Sequence, residues 1–293
     1  MEIIRLQNPD AGLFERIIRR LSAKEIFVYT LLIFWALVNL FPLYWMFTFS
    51  LKNNAEIFGE NVIGLPRDWI WQNYQDALNV GNIAKFFLNS FIVTFSAIAL
   101  VILVGVMASF ALTRMIWRGR RGMSSLFMLG LTLPIHAAIL PVFLVLSKLR
   151  MLNSYQALIV PYAAFALAKA IMVFSSFIQD IPYELDEAAC LDGCSAWGVL
   201  FRIMLPVLKP AMSTVGILTF IEAWNELMFA TVFISSSAYR TLTVGLQTLF
   251  GSYTTQWGPI GAALVLATFP TLIVYAFLSN KIQSSFIAGA IKG

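Results

Sequence analysis

A chain of 293 residues that is 59% hydrophobic and 12% charged, with 25 phenylalanines, is not an ordinary soluble domain. Its formal net charge of +5 has to be read through its placement along the chain, not as a nucleic-acid footprint. One His and two Cys leave little from which to build a metal centre or a nucleophilic triad.

The apolar residues fall in blocks of about twenty or more, long enough to cross a hydrocarbon layer of roughly 30 Å as helices. The ten-residue alternating segments of a barrel do not occur. The pattern predicts an all-α polytopic membrane protein with six transmembrane helices, near 26–50, 86–112, 124–147, 155–178, 208–234 and 260–280. Ahead of the first block, Leu13, Phe14, Ile17, Ile18 and Leu21 recur at helical spacing, with Arg16, Arg19, Arg20 and Lys24 on the other side. Residues 1–25 therefore read as an amphipathic segment on the cytoplasmic membrane surface, or as a solvated basic tail. They show no apolar run followed by a small-residue cleavage site, so the first span is expected to act as the insertion signal.

The polar stretch from Lys52 to Lys85, with Pro66, Trp69 and Trp71, reads as an external loop with aromatics at the interface. In the third block His136 sits between Pro134 and Pro141, which predicts a kinked helix. His136 then faces a cavity or is a buried, hydrogen-bonded core residue. With the N-terminus inside, thirteen Lys and Arg fall on the inner side and six on the outer, while Lys169 lies within a span. That imbalance predicts both ends in the cytoplasm.

Between the fourth and fifth blocks runs Asp180–Pro206, DIPYELDEAACLDGCSAWGVLFRIMLP, too polar at its start to lie in lipid. Asp180 is expected to cap a helix with Pro182 in its first turn and Glu184, Asp186 and Glu187 favoured by the helix dipole. Gly193 supplies a left-handed stop, Ser195 caps again, and a second helix runs to Pro206. This is an exposed handle, pinned between two spans. Cys190 and Cys194 read as small packing residues, since a cytoplasmic loop is reducing and no further metal ligands lie nearby.

Glu222 and Glu226 in the fifth block are four apart, on one face of an expected helix, with Trp224 and Asn225 beside them. Each ionised carboxylate at mid-membrane would cost about 3 kcal/mol, so both must face protein or water, and Lys169 is a candidate partner. Two readings stand: a polar face that wets a translocation path, or an interhelical clamp. Segment 236–258 is polar, carrying Tyr239, Gly245, Gly251 and Tyr253, and joins the last two spans. No G-x-x-x-x-G-K-[ST] cradle occurs, so the chain is expected to have no nucleotide cofactor and no ATPase activity of its own.

Glu187-Ala188-Ala189, then Gly193, then Ile203-x-Leu205-Pro206 resembles the EAA loop of ABC importer permeases. Ala223-Trp224-Asn225-Glu226, Val244-Gly245-Leu246, Trp257-Gly258-Pro259 and the ending Ala288–Gly293 resemble the MalG-type permeases of carbohydrate importers. Two features depart from the pattern: Glu222 stands where a small or apolar residue is expected, and Ser284-Ser285-Phe286 replaces a glycine-led lead-in.

The resemblance implies a type I permease fold: an N-terminal segment 1–25, a permease domain 26–280 with its coupling loop at 180–206, and a cytoplasmic tail 281–293. It implies an inner-membrane location and a carbohydrate substrate of maltodextrin, alginate or glycerol-phosphate type. The implied partners are a MalF-like second permease, two ABC ATPases that bind ATP and Mg, and an extracytoplasmic solute-binding protein. On that resemblance Glu184, Glu187, Ala188, Ala189, Asp192, Gly193, Ile203, Leu205 and Pro206 are coupling residues. Tyr239, Gly245, Gly251 and Tyr253 are then candidates for contact with the binding protein. A proton-coupled secondary transporter using Glu222, Glu226 and Lys169 is the competing expectation, although the inverted repeats and broken helices usual in that class are not evident.

Overall fold

The computed structural model describes residues 22–79, 81–252 and 256–290, with the backbone alone at 23, 251–252 and 278–290. The amphipathic reading of residues 1–21, Tyr253 and the last three residues lie outside the described residues. Ser22 opens the first helix, α1 (Ala23–Ser50), through a capping box in which its side chain accepts from Glu25 N and Glu25 answers the Ser22 backbone. Two short helices follow, α2 (Asn54–Phe58) and α3 (Gln72–Asn79), and then the long α4 (Ile83–Thr113). Next come α5 (Arg120–Gly130), a 3₁₀ turn at Ile135–Ala138, α6 (Ile139–Lys148) and α7 (Gln156–Gln179). After α7 the chain forms α8 (Glu184–Leu191), α9 (Ala196–Gly198), a π-helical stretch Val199–Met204 and α10 (Leu205–Val207). It ends with α11 (Lys209–Trp224), α12 (Met228–Phe233), α13 (Leu242–Ser252) and α14 (Trp257–Ala290).

Among the described residues, four helices are long and apolar enough to cross a membrane, and two bent pairs raise this to six if each is one span. The architecture is that of a polytopic helical membrane protein. Two expected spans are not straight. The third is bent by 100° between Arg120–Gly130 and Ile135–Lys148, because Pro134 at the head of the 3₁₀ turn cannot continue α5. His136 lies in that turn and is exposed, so its core reading is wrong.

The fifth span, expected to reach residue 234, stops at Trp224. Asn225 closes α11 by donating its side-chain amide to Ile221 O at 2.8 Å, and a new helix starts at Met228. On the other side, α11 joins Ala196–Val207 at a bend of 74°. The last helix runs unbroken past residue 280, so the expected tail begins as its continuation.

The centre is the α4–α7 pair. Gly105 stands against Phe174 and Ala170, and Ser109 Oγ donates to Ile171 O at 3.2 Å, so small residues let the two helices approach closely. From α11, Ala211 and Val215 enter the same core beside Val101 and Phe174. By contrast, the first half of α1 is covered by no part of the described chain: Phe27, Leu31, Phe34 and Trp35 are all exposed.

The connectors at the α3 end are tied down firmly. Lys52, 1% exposed, donates its ammonium to Asn61 O at 2.7 Å, Val62 O at 3.2 Å and Gly64 O at 2.7 Å. Glu56 accepts from Asn61 Nδ2 at 2.8 Å and from Arg67 N at 3.0 Å. Across the bundle, Asn89 donates to Ala238 O at 3.0 Å and Arg240 O at 2.8 Å, and Tyr155 donates to Asn89 Oδ1 at 2.8 Å.

Candidate functional site: the helix between two spans

At the opposite end of the bundle lies α8, starting later than its sequence implies. Asp180 is the C-terminal cap position of α7, not an N-cap, and Pro182 precedes the first turn; the cap position of α8 is Tyr183. The acidic first turn of Glu184, Asp186 and Glu187 is present, complementing the helix dipole. Gly193 ends the element at φ +80°, a left-handed conformation that a Cβ would strain. Ser195 Oγ then accepts from Gly198 N at 3.3 Å and caps α9, as expected.

The two alanines of the loop face opposite ways. Ala189 is 6% exposed and packs into the chain's own core with Val199 and Leu200, whereas Ala188 is exposed. Glu184, Glu187 and Asp192 are exposed beside it. Ile203 and Leu205 are half-buried against the same core, and Pro206 is exposed in α10. The π-helical turn between Gly193 and Pro206 turns Val199, Leu200 and Met204 inward together. Cys190 is exposed and Cys194 half-buried, both as free thiols, so the packing reading holds at most for Cys194.

Arg114, the cap residue of α4, joins α8 to the bundle. Its side chain is 4% exposed and its Nε lies 3.2 Å from Asp186 Oδ2. Its Nη2 donates to Ile178 O at 3.0 Å and also to Ile181 O, and its guanidinium stacks on Tyr183 at 4.0 Å from the ring centroid. Burial pushes the Asp186 carboxyl up from its ordinary value, and the charge of Arg114 opposes that shift. The sequence reading counted Arg114 only as one basic residue among four. Its position at the end of an unbroken apolar run was the available signal.

The intramembrane charges do not form one cluster. Lys169 on α7 pairs with Glu222 on α11, with side chains 37% and 51% exposed. Glu226 lies beyond the end of α11, so the two carboxylates do not share a helix face as expected. Glu226 instead caps α12: Oε1 accepts from Phe229 N at 2.8 Å, and Oε2 from Ala230 N at 3.1 Å and from the Tyr162 hydroxyl at 2.6 Å. Trp224 is buried, stacked on Phe220, and donates to Ala267 O at 3.1 Å. Tyr162 was missed in the sequence because a lone Tyr in an apolar span carries no periodic signal.

The segment before the last span is no loose connector. Tyr239 packs edge-on against Tyr155 at 5.0 Å, and Asn153 Oδ1 accepts from Ser235 N at 2.7 Å and Ser236 N at 2.8 Å. Gly245 is buried in α13, where an added Cβ would sit 2.2 Å from a ring atom of Phe86. Its smallness serves internal packing. Gly251 lies in the last turn of α13.

A bundle of apolar spans with one short acidic helix anchored at its end is the architecture of a membrane permease subunit. Residues 101–286 match the family described as the binding-protein-dependent transport system inner membrane component, and the chain belongs to that family. It is 36% identical over 258 residues to the sulfoquinovosyl glycerol transport system permease protein SmoH of Agrobacterium fabrum, covering 88% of this chain and 90% of that one. It is 34% identical over 266 residues to the diacetylchitobiose uptake system permease protein NgcG of Streptomyces coelicolor, covering 90% and 88%. It is 31% identical over 262 residues to the trehalose/maltose transport system permease protein MalG of Thermococcus litoralis, covering 88% and 93%. The MalG-type resemblance is thereby borne out. In fold it is similar to a chain of a bacterial ABC transporter involved in the import of the acidic polysaccharide alginate, with a TM-score of 0.76 at 24% identity over 93% of this chain and 99% of that chain.

Proposed function

We propose that this chain is one of two permease subunits of an ATP-driven importer of an oligosaccharide or related carbohydrate, with α8 as the helix that docks on a separate ATPase. The observation that carries the reading is the exposed face of α8, where Glu184, Glu187 and Ala188 face outward while Ala189 and Asp186 hold the helix to the bundle. An isolated eight-residue helix would be marginal in water, so an anchored one is suited to transmit a push. ATP and Mg would be bound and hydrolysed by the partner subunits, and a solute-binding protein would deliver the sugar at the α3 end. The relatives named as permeases of glycoside and disaccharide transport systems support a carbohydrate substrate. The charge count supports both termini in the cytoplasm.

The Lys169–Glu222 pair lies exposed on the α7–α11 face. Lipid is a poor environment for such a pair, so this face turns to the second permease and to water in the path between them. The uncovered first half of α1 fits the same partner. A proton relay through Glu222 and Glu226 would require the two carboxylates to communicate, and they are bonded into different contacts.

Copurification tests the reading. Tagged wild-type chain extracted in mild detergent is expected to bring a second permease and an ATPase, and Glu187→Lys to lose the ATPase alone. A wild-type chain that purifies by itself in several detergents would sink the importer reading.

A further inference from the structure

Resting on the reading of α8 as the docking helix, we propose that Arg114 is the positioning residue through which movement of α8 reaches the membrane spans. The geometry is that of a joint. One guanidinium, set at the last turn of α4, holds the carboxylate of Asp186 on α8, the carbonyls of Ile178 and Ile181 at the end of α7, and the ring of Tyr183 at the start of α8. The packed α4–α7 pair and the docking helix α8 therefore meet on one rigid, planar cation. The fork of an arginine can hold a carboxylate and two carbonyls at once, which a lysine cannot. Tyr183 adds a contact to the same helix end, its hydroxyl 3.5 Å from Thr113 O.

The joint is also incompletely made. Arg114 Nε lies 3.2 Å from Asp186 Oδ2 as an ion pair without hydrogen-bond alignment, and Nε and Nη1 of Arg114 and Oδ1 of Asp186 are all buried with no hydrogen-bond partner. Buried unpaired groups are costly, and a small rotation of α8 that brought both oxygens onto the fork would satisfy them. The pair thus has a second arrangement within reach of a modest displacement, as a part that moves in a cycle requires. The other side of α8 leans, through Ala189, on Val199 and Leu200 of the following helix. Arg114 gives it the link to α4 and α7, the two helices that form the centre of the bundle.

The test uses the assembled complex with its own second permease, ATPases and binding protein. The chain carries Cys190→Ser and Cys194→Ser and a fluorophore on Ser237→Cys, at the opposite end. In the wild-type background ATP with Mg is expected to change the fluorescence. In Arg114→Met the ATPase is expected to stay bound and hydrolysis to remain within about twofold of the basal rate, while the fluorescence response and uptake fall at least about tenfold. Asp186→Asn keeps the carbonyl contacts and is expected to lose about two- to fivefold of the response; it decides alone if Arg114→Met does not fold. A normal response in the deciding variant overturns the proposal. So does a parallel fall of hydrolysis and response, which would mark a residue that only holds the fold. Absence of the ATPase from the wild-type complex is a different result, because it removes the docking reading itself.

Discussion

The phenol of Tyr162 donates to Glu226 Oε2 at 2.6 Å, joining the middle of α7 to the turn between α11 and α12. The same carboxylate accepts two backbone N–H groups of α12, so three donors converge on one side chain. Glu226→Ala leaves all three without an acceptor inside the bundle. It is expected to destabilise the protein by about 1–3 kcal/mol. Tyr162→Phe removes one donor and is expected to cost about 1 kcal/mol, since both remaining bonds to Glu226 survive. Thermal melts in detergent check the order. Equal losses, or a larger one for Tyr162→Phe, would show that the helix cap is not what Glu226 provides.

Lys169 and Glu222 are expected to behave in the opposite way. Half-exposed ion pairs contribute less than about 1 kcal/mol, so Glu222→Gln or Lys169→Met is expected to leave the melting temperature within a few degrees of wild type. If the pair faces the path, uptake changes while stability does not. Melting curves and uptake measured on the same preparations separate the two quantities, and a large loss of stability would restore the clamp reading.

Two glycines with strong positional demands, Gly193 and Gly245, resist substitution for different reasons. Gly193 has open space around its missing Cβ, so only its φ of +80° resists substitution. Gly193→Asn, which tolerates the left-handed region, is expected to be mild, and Gly193→Val to cost about 1–2 kcal/mol locally and disrupt uptake. Gly245 has an ordinary backbone and no room: a methyl there would meet Phe86. Gly245→Ala is expected to destabilise by about 1–3 kcal/mol through overpacking, with partial recovery in the double variant Gly245→Ala, Phe86→Leu. Additive losses in the double variant would falsify the steric account.

Glu56 gives the pH dependence. The Arg67 backbone N–H holds its carboxyl below the ordinary value of 4.5, with the Asn61 amide and the charge of Lys52 acting the same way against burial. A depressed carboxyl contributes stability that is fully present above its ordinary value and is lost as pH falls through the lower, folded one. The 51–71 connector is therefore expected to keep its protection at neutral pH and to loosen only below about 4.5, with Glu56→Gln flattening that acid-side slope. Limited proteolysis or hydrogen exchange of the connector from pH 7 to 3 measures it.

The sequence by itself determined the class of fold and the character of the handle. Blocks of about twenty apolar residues can only be satisfied as spans in lipid, and an acidic, glycine-stopped segment between two of them can only stand in water. Gly193 and Ser195 were legible because turn and cap chemistry is local. What lay across the bundle was not. Glu226 looked like a helical neighbour of Glu222 until Asn225 and Glu226 itself ended one helix and began the next. Ala189 looked like docking surface, and its burial against Val199 depends on how the π-helical turn folds back. Arg114 and Asp186 are 72 positions apart in the chain, and no periodicity links a cap of one span to a helix two spans later. Such pairings are decided by which elements the packed α4–α7 core brings together, and that is a property of the tertiary structure alone.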